Sequence, residues 1–238
     1  RYYASSASVK QFPELLPLTP SRSKEKKQKK QLGEIAVKAK KDLEYDQFKL
    51  SPDQEYVAYT TNELGQVKVW LYHIPSGKKK RIFKHGYPLE RLNDKSYPVL
   101  AWHPSSLILS FVYEKQGRAF MVNYNLEERK KIEKELFRID KVIHMAYAPD
   151  GRKIVFSGVK EGQSDLYMYQ TIGNNQTQLT NDIYDDLEPQ FIRNGNALIF
   201  ASNRLDDTLR TDVSQAPFPL NKDIFIMSLS PESDVLER

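Results

Sequence analysis

Four segments of the chain repeat one pattern around a tight turn, and this repeat restricts the fold more than any other feature of the sequence. The turns are 52, 45 and 44 residues apart and contain, at equivalent positions, Pro52, Pro104, Pro149 and Arg193. In each segment a short apolar stretch precedes the turn and a second apolar stretch follows it. Proline sets φ in such a turn, and glycine, as at Gly151 and Gly195, allows positive φ. Each repeat therefore predicts two strands joined by a tight turn.

The residues between successive turns hold two further predicted strands, so that each repeat contains four. In the third repeat these strands fall at 165–169 and 177–180. Four strands every 44–52 residues is the period of a β-propeller blade, in which neighbouring sheets cover each other's faces. We predict an all-β fold with four four-stranded blades, at residues 44–97, 98–143, 144–187 and 188–238. The alternative is a β-sandwich of unrelated strands.

The third and fourth repeats carry the residues of a known motif. Ala148-Pro-Asp-Gly151 forms its turn, Gln178-Leu-Thr-Asn181 precedes an acidic loop, and Ile199-Phe-Ala-Ser-Asn-Arg204 forms the following strand. These residues resemble the PD40 (WD40-like) repeat of TolB-like proteins. The first repeat departs from the motif at Gln54, where glycine is usual, and the second has the degenerate turn His103-Pro-Ser-Ser106. The resemblance implies a ring of six or seven blades, so we interpret the chain as part of a larger bacterial protein.

The resemblance also implies a function, which is that of a non-catalytic protein–protein interaction scaffold in the bacterial periplasm or cell envelope. Similar propellers precede the hydrolase domain of prolyl-oligopeptidase-type serine peptidases, so a gating propeller of such a peptidase is the alternative. The sequence has no cysteine, no G-x-S-x-G elbow, no H-E-x-x-H and no P-loop. We therefore expect no enzymatic activity and no cofactor in this chain, and protein partners within an envelope complex.

The positive charge of the chain lies in its first 43 residues. That segment has 11 Lys and Arg against 4 Asp and Glu, whereas residues 44–238 have 25 against 27. Its composition predicts a proline-containing basic arm or linker, extended or helical; the alternative is an arm that binds nucleic acid. No aromatic residue interleaves the lysines at positions 24–30 to stack on bases, so we expect no nucleic-acid partner. The sequence contains no run of 18 apolar residues, so no transmembrane segment is predicted.

The strand order of a propeller blade predicts which loops share one end of the ring. The connections from one blade to the next lie at the same end of the ring as the loops between the second and third strands of each blade. The long loop at 203–222 is one of these second-to-third-strand loops. Long loops in compact domains are usually functional, and Tyr and Arg are frequent in binding hot spots. We predict that this face binds a partner protein through Tyr87, Arg91, Tyr184, Asp185, Asp186, Arg204, Asp207 and Phe218.

One acidic cluster, at residues 181–188, lies in this set of loops. We expect its carboxylates to bond within the loop or to contact the partner, and no metal is predicted. The alternative is a Ca²⁺ site, because Ca²⁺ prefers oxygen ligands. The residues for such a site are Asp182, Asp185, Asp186 and Glu188, but the spacing and the glycine of an EF-hand loop are missing.

Overall fold

The computed structural model describes residues 43–87, 98–204 and 222–229, which form four antiparallel β-sheets that follow one another along the chain. The predicted arm at 1–43 lies outside these residues except for its last one. The first sheet contains β1 (Leu43–Leu50), β2 (Tyr56–Glu63), β3 (Gln66–His73) and β4 (Lys78–His85). The second contains β5 (Val99–Trp102), β6 (Ile108–Lys115), β7 (Arg118–Asn125) and β8 (Lys131–Glu135).

The third sheet contains β9 (Lys141–Tyr147), β10 (Lys153–Lys160), β11 (Gln163–Gln170) and β12 (Gln176–Gln178). The fourth contains β13 (Asp186–Ile192), β14 (Ala197–Ser202) and β15 (Asp223–Ser228), with a short 3₁₀ turn at Arg193–Gly195 between its first two strands. Strands pair in sequence order within every sheet. This meander confirms the predicted all-β blades, although the third and fourth blades begin a few residues before the predicted 144 and 188.

The fourth blade has three strands within the described residues, whereas four were predicted for each blade. The remaining strand of the prediction falls after Ser228, outside the described ranges. The first strands of the four blades lie side by side, because β5 contacts both β1 and β9, and β9 contacts β13. We refer to β1, β5, β9 and β13 as the innermost strands.

Apolar side chains fill the spaces between successive blades. One cluster joins the first and second blades and contains Val69 and Phe111; another joins the second and third and contains Met121 and Phe156. Phe111 and Phe156 are completely buried. Burial of a side chain of this size stabilises a fold by about 1.5–3 kcal/mol. Stacking against neighbours therefore supplies the core that one blade lacks.

Polar contacts also join neighbouring blades. The indole Nε1 of Trp102 donates a 2.9 Å hydrogen bond to the main-chain carbonyl of Lys49, from the second blade to the first. The hydroxyl groups of Ser110 and Tyr147 lie 2.6 Å apart across the next boundary. These contacts join β5 to β1 and β6 to β9, and so fix the relative positions of three successive blades.

The repeated turn has the same backbone conformation in the first three blades even where its glycine is missing. The third position has positive φ in each of them, at Gln54 (63°), Ser106 (63°) and Gly151 (71°). Aspartate at the second position accepts a hydrogen bond from the main chain two residues later, as Asp150 does from the N–H of Arg152 at 2.9 Å. The turn geometry thus survives in the first and second repeats, where the sequence departs from the motif.

Candidate functional site

The predicted set of loops meets at one end of the blades. The side-chain amide of Gln66, beside the β2–β3 turn, donates to the carbonyl of Gly86 in the connection after the first blade, at 3.1 Å. In the third blade the N–H of Glu161 donates to the carboxylate of Asp140 at 3.0 Å. We call this end the loop face: its described residues are 64–65, 86–87, 116–117, 136–140, 161–162, 179–185 and 203–204.

In the part of each connection between blades that the structure describes, a large apolar side chain is exposed to solvent on the loop face. The exposed fractions are 80% for Tyr87, 67% for Phe137 and 77% for Ile183. Tyr87 and Phe137 are 50 positions apart in the sequence, and Phe137 and Ile183 are 46 apart; both spacings are close to the length of one blade. The guanidinium of Arg138 lies 5.0 Å from the ring centre of Phe137. The three side chains belong to different connections, so each is a separate candidate anchor for a protein contact.

Arg204 is held within the loop face by two carboxylates. Its Nη2 donates to Oδ2 of Asp182 at 2.6 Å and to Oδ2 of Asp186 at 2.7 Å. Asp186 is completely buried, and the Arg204 side chain is 22% exposed. A buried carboxylate is strongly destabilising without a paired charge, so Arg204 is required for the conformation of this loop.

Aromatic rings support the same guanidinium. Its carbon lies 5.4 Å from the ring centre of Phe200 and 5.8 Å from that of Phe225, within the range of cation–π contacts. The two rings are stacked at 5.9 Å on the neighbouring strands β14 and β15. Arg204 therefore joins the acidic loop to the sheet of the fourth blade.

The rest of the acidic loop is fixed by hydrogen bonds within the loop, to strand β11 and to the residue that follows β14. Oδ1 of Asp185 accepts from the N–H of Ser164 at 3.1 Å and from its hydroxyl at 2.9 Å. The N–H of Asp185 donates to Asn203 at 2.9 Å, and the N–H of Tyr184 donates to Asp182 at 2.9 Å. The loop is thus tied to both the third and the fourth blade.

Asp165, near the start of β11, lies beside the acidic loop. Burial raises the pKa of its carboxyl group, and the charges of Asp182 and Asp186 raise it further. It accepts a hydrogen bond from the side-chain amide of Gln178 at 3.1 Å. Asp165 and the carboxylates of the loop therefore concentrate negative charge around the guanidinium of Arg204.

The structure brings some of the predicted site residues together and leaves others apart. Tyr184, Asp185, Asp186 and Arg204 lie together at the acidic loop, and Tyr87 lies on the same face near the first blade. Arg91, Asp207 and Phe218 fall outside the described residues. Direct contact of these residues with a partner stays a prediction.

Glu188, the fourth residue of the Ca²⁺ alternative, lies on the innermost strand β13. Its N–H donates to Nδ1 of His144 at 3.4 Å, and its Oε1 lies 3.8 Å from Nε2 of the same histidine. In the described part of the chain, no group of three or more His, Asp or Glu side chains has the geometry to hold a metal ion.

Sequence reasoning missed Phe137 and Ile183. The missed signal was an apolar residue that recurs about one blade length after Tyr87 in the connections between blades. Across the described ranges, helices of the length and apolar character needed to cross a membrane are not found.

No family model matches the chain, and no curated protein matches it. Among solved structures it is similar to TolB from Acinetobacter baumannii, with a TM-score of 0.55 and 16% identity over 78% of this chain and 41% of that one. A provisionally named TolB from Agrobacterium tumefaciens has a TM-score of 0.55 and 19% identity over 76% of this chain and 60% of that one. A provisionally named dipeptidyl aminopeptidase IV from Bacteroides ovatus has a TM-score of 0.55 and 15% identity over 82% of this chain and 35% of that one.

The chain therefore spans between 35% and 60% of the length of these three proteins. Its blades have the β-propeller fold found in TolB and in peptidase propeller domains. At identities of 15–19% the similarity shows the fold alone.

Proposed function

We propose that the chain is the PD40-type propeller part of a non-catalytic protein–protein interaction scaffold in the bacterial cell envelope. The observation that supports this proposal is the set of exposed apolar side chains on the loop face, Tyr87, Phe137 and Ile183, which come from the described parts of three successive connections between blades. Apolar anchors surrounded by polar groups are typical of protein interfaces. The resemblance of the repeats to those of TolB-like proteins supports the envelope location.

The rigid acidic loop supports the same proposal. Because Arg204 and Ser164 fix its carboxylates, Ile183 is presented from a loop that loses little conformational entropy when a partner binds. In this proposal Tyr87, Phe137 and Ile183 are the anchors, and Tyr184 and Asp185 are polar contacts beside them. Arg204 and Asp186 act by holding the loop.

The second candidate is the gating propeller of a serine peptidase. It is favoured by the similarity to the Bacteroides ovatus aminopeptidase, whose TM-score of 0.55 equals that of the TolB structures. In that case the catalytic residues belong to another part of the full-length protein, and the propeller controls access to them.

Site-specific photocrosslinking in the producing cell tests the interaction proposal. A photoreactive amino acid placed at Tyr87, Phe137 or Ile183 should give crosslinks to a common partner protein. The matched control is Ile172, which is 74% exposed but lies in the turn between β11 and β12, at the opposite end of the blade. Crosslinks of equal yield at Ile172, or none on the loop face, would rule out this surface as the interface.

The peptidase candidate has its own measurement. The full-length protein is treated with a fluorophosphonate probe, which reacts with activated serine nucleophiles. Covalent labelling that is lost on heat denaturation would favour the peptidase, whereas a folded, unlabelled protein with loop-face crosslinks supports the scaffold.

A further inference from the structure

The outermost strand of the first blade, β4, carries a stripe of positive charge. Within seven residues it has four lysines, one arginine and no acidic residue. We call these five residues, all of them exposed, the basic stripe: Lys78, Lys79, Lys80, Arg81 and Lys84. Residues 44–238 as a whole have 25 basic against 27 acidic side chains, so this excess of positive charge is local to one strand.

The charges of the basic stripe are not offset by neighbouring carboxylates. On the paired strand β3 the residues opposite the stripe are His73, Tyr72, Leu71, Trp70 and Lys68, and none of them is acidic. Lys68 has its own partner, Glu63, at 2.7 Å. In the part of the chain that the structure describes, no residue of the stripe forms an ion pair. Mutual repulsion of the five charges is therefore an uncompensated cost to the folded blade.

Protection of the sheet edge does not explain this charge. Lysines on an edge strand discourage pairing with other chains, and β4 is an edge strand because it pairs with β3 alone. The strands β8 and β12 have the same position in the second and third blades. However, β8 has two lysines balanced by two glutamates, and β12 has no charged residue. Edges of this kind are thus tolerated here without net charge, and the basic stripe requires another reason.

The geometry of the basic stripe suits a broad anionic surface better than one small anion. Successive side chains of a strand point to opposite faces, so Lys79 and Arg81 lie on one side of β4 and Lys78 and Lys80 on the other. At about 3.3 Å per residue the stripe is roughly 20 Å long. Cations spread along such an edge and pointing to both sides do not converge on a single phosphate or carboxylate group. A flat layer of negative charge that meets the edge can reach all of them.

The basic stripe also lacks the aromatic surface on which the bases of single-stranded nucleic acids stack. Phe83, the aromatic residue within it, is half-buried and packs against the second blade. The centre of its ring lies 4.9 Å from that of Phe111 and 4.7 Å from that of Tyr113. The ring therefore belongs to the contact between blades, and charge is the property that the stripe offers to a partner.

We propose that the basic stripe binds the surface of a lipid bilayer that contains anionic lipids. The blade meets the bilayer with the edge of β4, and the lysine and arginine side chains reach the headgroup phosphates. Each basic residue near such a surface adds to the attraction, which decreases over about 8 Å at physiological salt. The contact is therefore peripheral and reversible. The stripe shares no residue with the loop face, so this surface is additional to the function proposed above.

Sedimentation of the full-length protein with lipid vesicles tests the proposal. Vesicles of phosphatidylcholine mixed with phosphatidylglycerol are compared with vesicles of phosphatidylcholine alone. The test variant combines Lys78→Gln, Lys79→Gln and Arg81→Gln, and it keeps Lys80, whose Nζ lies 3.3 Å from the hydroxyl of Tyr124. At low salt it should bind the mixed vesicles more than tenfold more weakly than the wild type, because three attractive charges are lost. The difference should disappear at about 1 M NaCl, where charges are screened within a few ångströms.

The matched control removes the same charge from dispersed positions on the third blade. It combines Lys141→Gln, Arg152→Gln and Lys160→Gln, at residues that form no ion pair within the described ranges. Lys141 and Arg152 are exposed, and Lys160 is half-buried. The control should bind the mixed vesicles within about threefold of the wild type. Both variants keep the basic segment at 1–43, so its attraction is common to them, and circular dichroism checks that both are folded.

Four outcomes would overturn the proposal. An equal loss in the two variants would show general attraction to net charge. Wild-type binding of the mixed vesicles by the folded stripe variant would show that other residues make the contact. A loss that is as large on phosphatidylcholine alone would show that anionic lipid is not recognised. A larger loss in binding to heparin or duplex DNA than to the mixed vesicles would identify a site for linear polyanions.

Discussion

At the residue scale, Arg204 shows how one side chain of the motif can be required for structure. Its guanidinium bonds to Asp182 and Asp186 and lies over two aromatic rings. Oδ2 of Asp186 accepts from Arg204, and Oδ1, which is also buried, has no hydrogen-bond partner among the described residues. Loss of Arg204 therefore leaves a buried charge with little compensation.

We expect Arg204→Met to lower the free energy of unfolding by about 3 kcal/mol, because breaking a buried ion pair on one side leaves the other charge unpaired. The measurement is urea denaturation. Arg118→Met is the control: Arg118 pairs with Glu135, but both side chains are well exposed (66% and 45%), so its loss should stay below about 1 kcal/mol. Similar small losses in both variants would show that Asp186 does not depend on Arg204.

This expectation changes how the loop face should be tested. Alanine at Arg204 would disturb the loop and the binding surface together. Substitution of Ile183 or Tyr87, which are largely exposed, changes the surface alone.

His103 gives a prediction on pH. Burial lowers the pKa of its imidazole, more than the main chain of Gly151 and the charge of Asp150 raise it. The unfolded chain, with a histidine pKa of about 6.5, binds the proton more tightly. The stability contributed by neutral His103 is thus present above about pH 6.5 and decreases as the pH falls through that value. NMR titration should give a midpoint below 6.5; a midpoint above it would contradict this account.

At the element scale, the repeated turns of neighbouring blades pack against each other. His103 of the second turn lies against Gly151 of the third, and its ring contacts that of Tyr147 at 5.1 Å between centres. The N–H of Asp53 in the first turn donates to the hydroxyl of Ser106 in the second at 3.0 Å. The turns therefore connect blades as well as strands.

Gly151→Ala should lower the free energy of unfolding by roughly 2–4 kcal/mol, because a Cβ there would overlap Nε2 of His103 and φ is positive. The matched control is Gly162→Ala, where φ is also positive but no heavy atom lies within 4 Å of an added Cβ. Gly162→Ala should lower the free energy of unfolding only by the cost of placing alanine at positive φ, roughly 1 kcal/mol. Thermal or urea unfolding measures both, and equal losses would mean that the contact with His103 adds nothing.

At the scale of the whole molecule, the fold could be predicted because the same physical pattern occurs four times. The turns at Pro52, Pro104 and Pro149 and the apolar strands around them fix the strand order of each blade locally. Gln54 and Ser106 stand where the motif has glycine. The turns were still predicted correctly there, because both residues adopt the positive φ that the turn requires.

The candidate site could be predicted only in part. Strand order was enough to place the loops at one end, and Tyr87, Tyr184 and Asp185 were found there. The pairing of Arg204 with Asp182 and Asp186 depends on how the third and fourth blades meet, and this is a three-dimensional relation. Phe137 and Ile183 were missed because the sequence does not show which apolar residue of a connection is exposed: Leu136 and Ile139 are buried, whereas Phe137 between them is exposed.

The hydrogen bond from Trp102 to residue 49 has a consequence for how such chains can diverge. The acceptor is a main-chain carbonyl, and every amino acid supplies one. Position 49 can therefore change its side chain during evolution without loosening the contact between the first two blades. Relatives with a conserved tryptophan at 102 and a variable residue at 49 would then share one architecture.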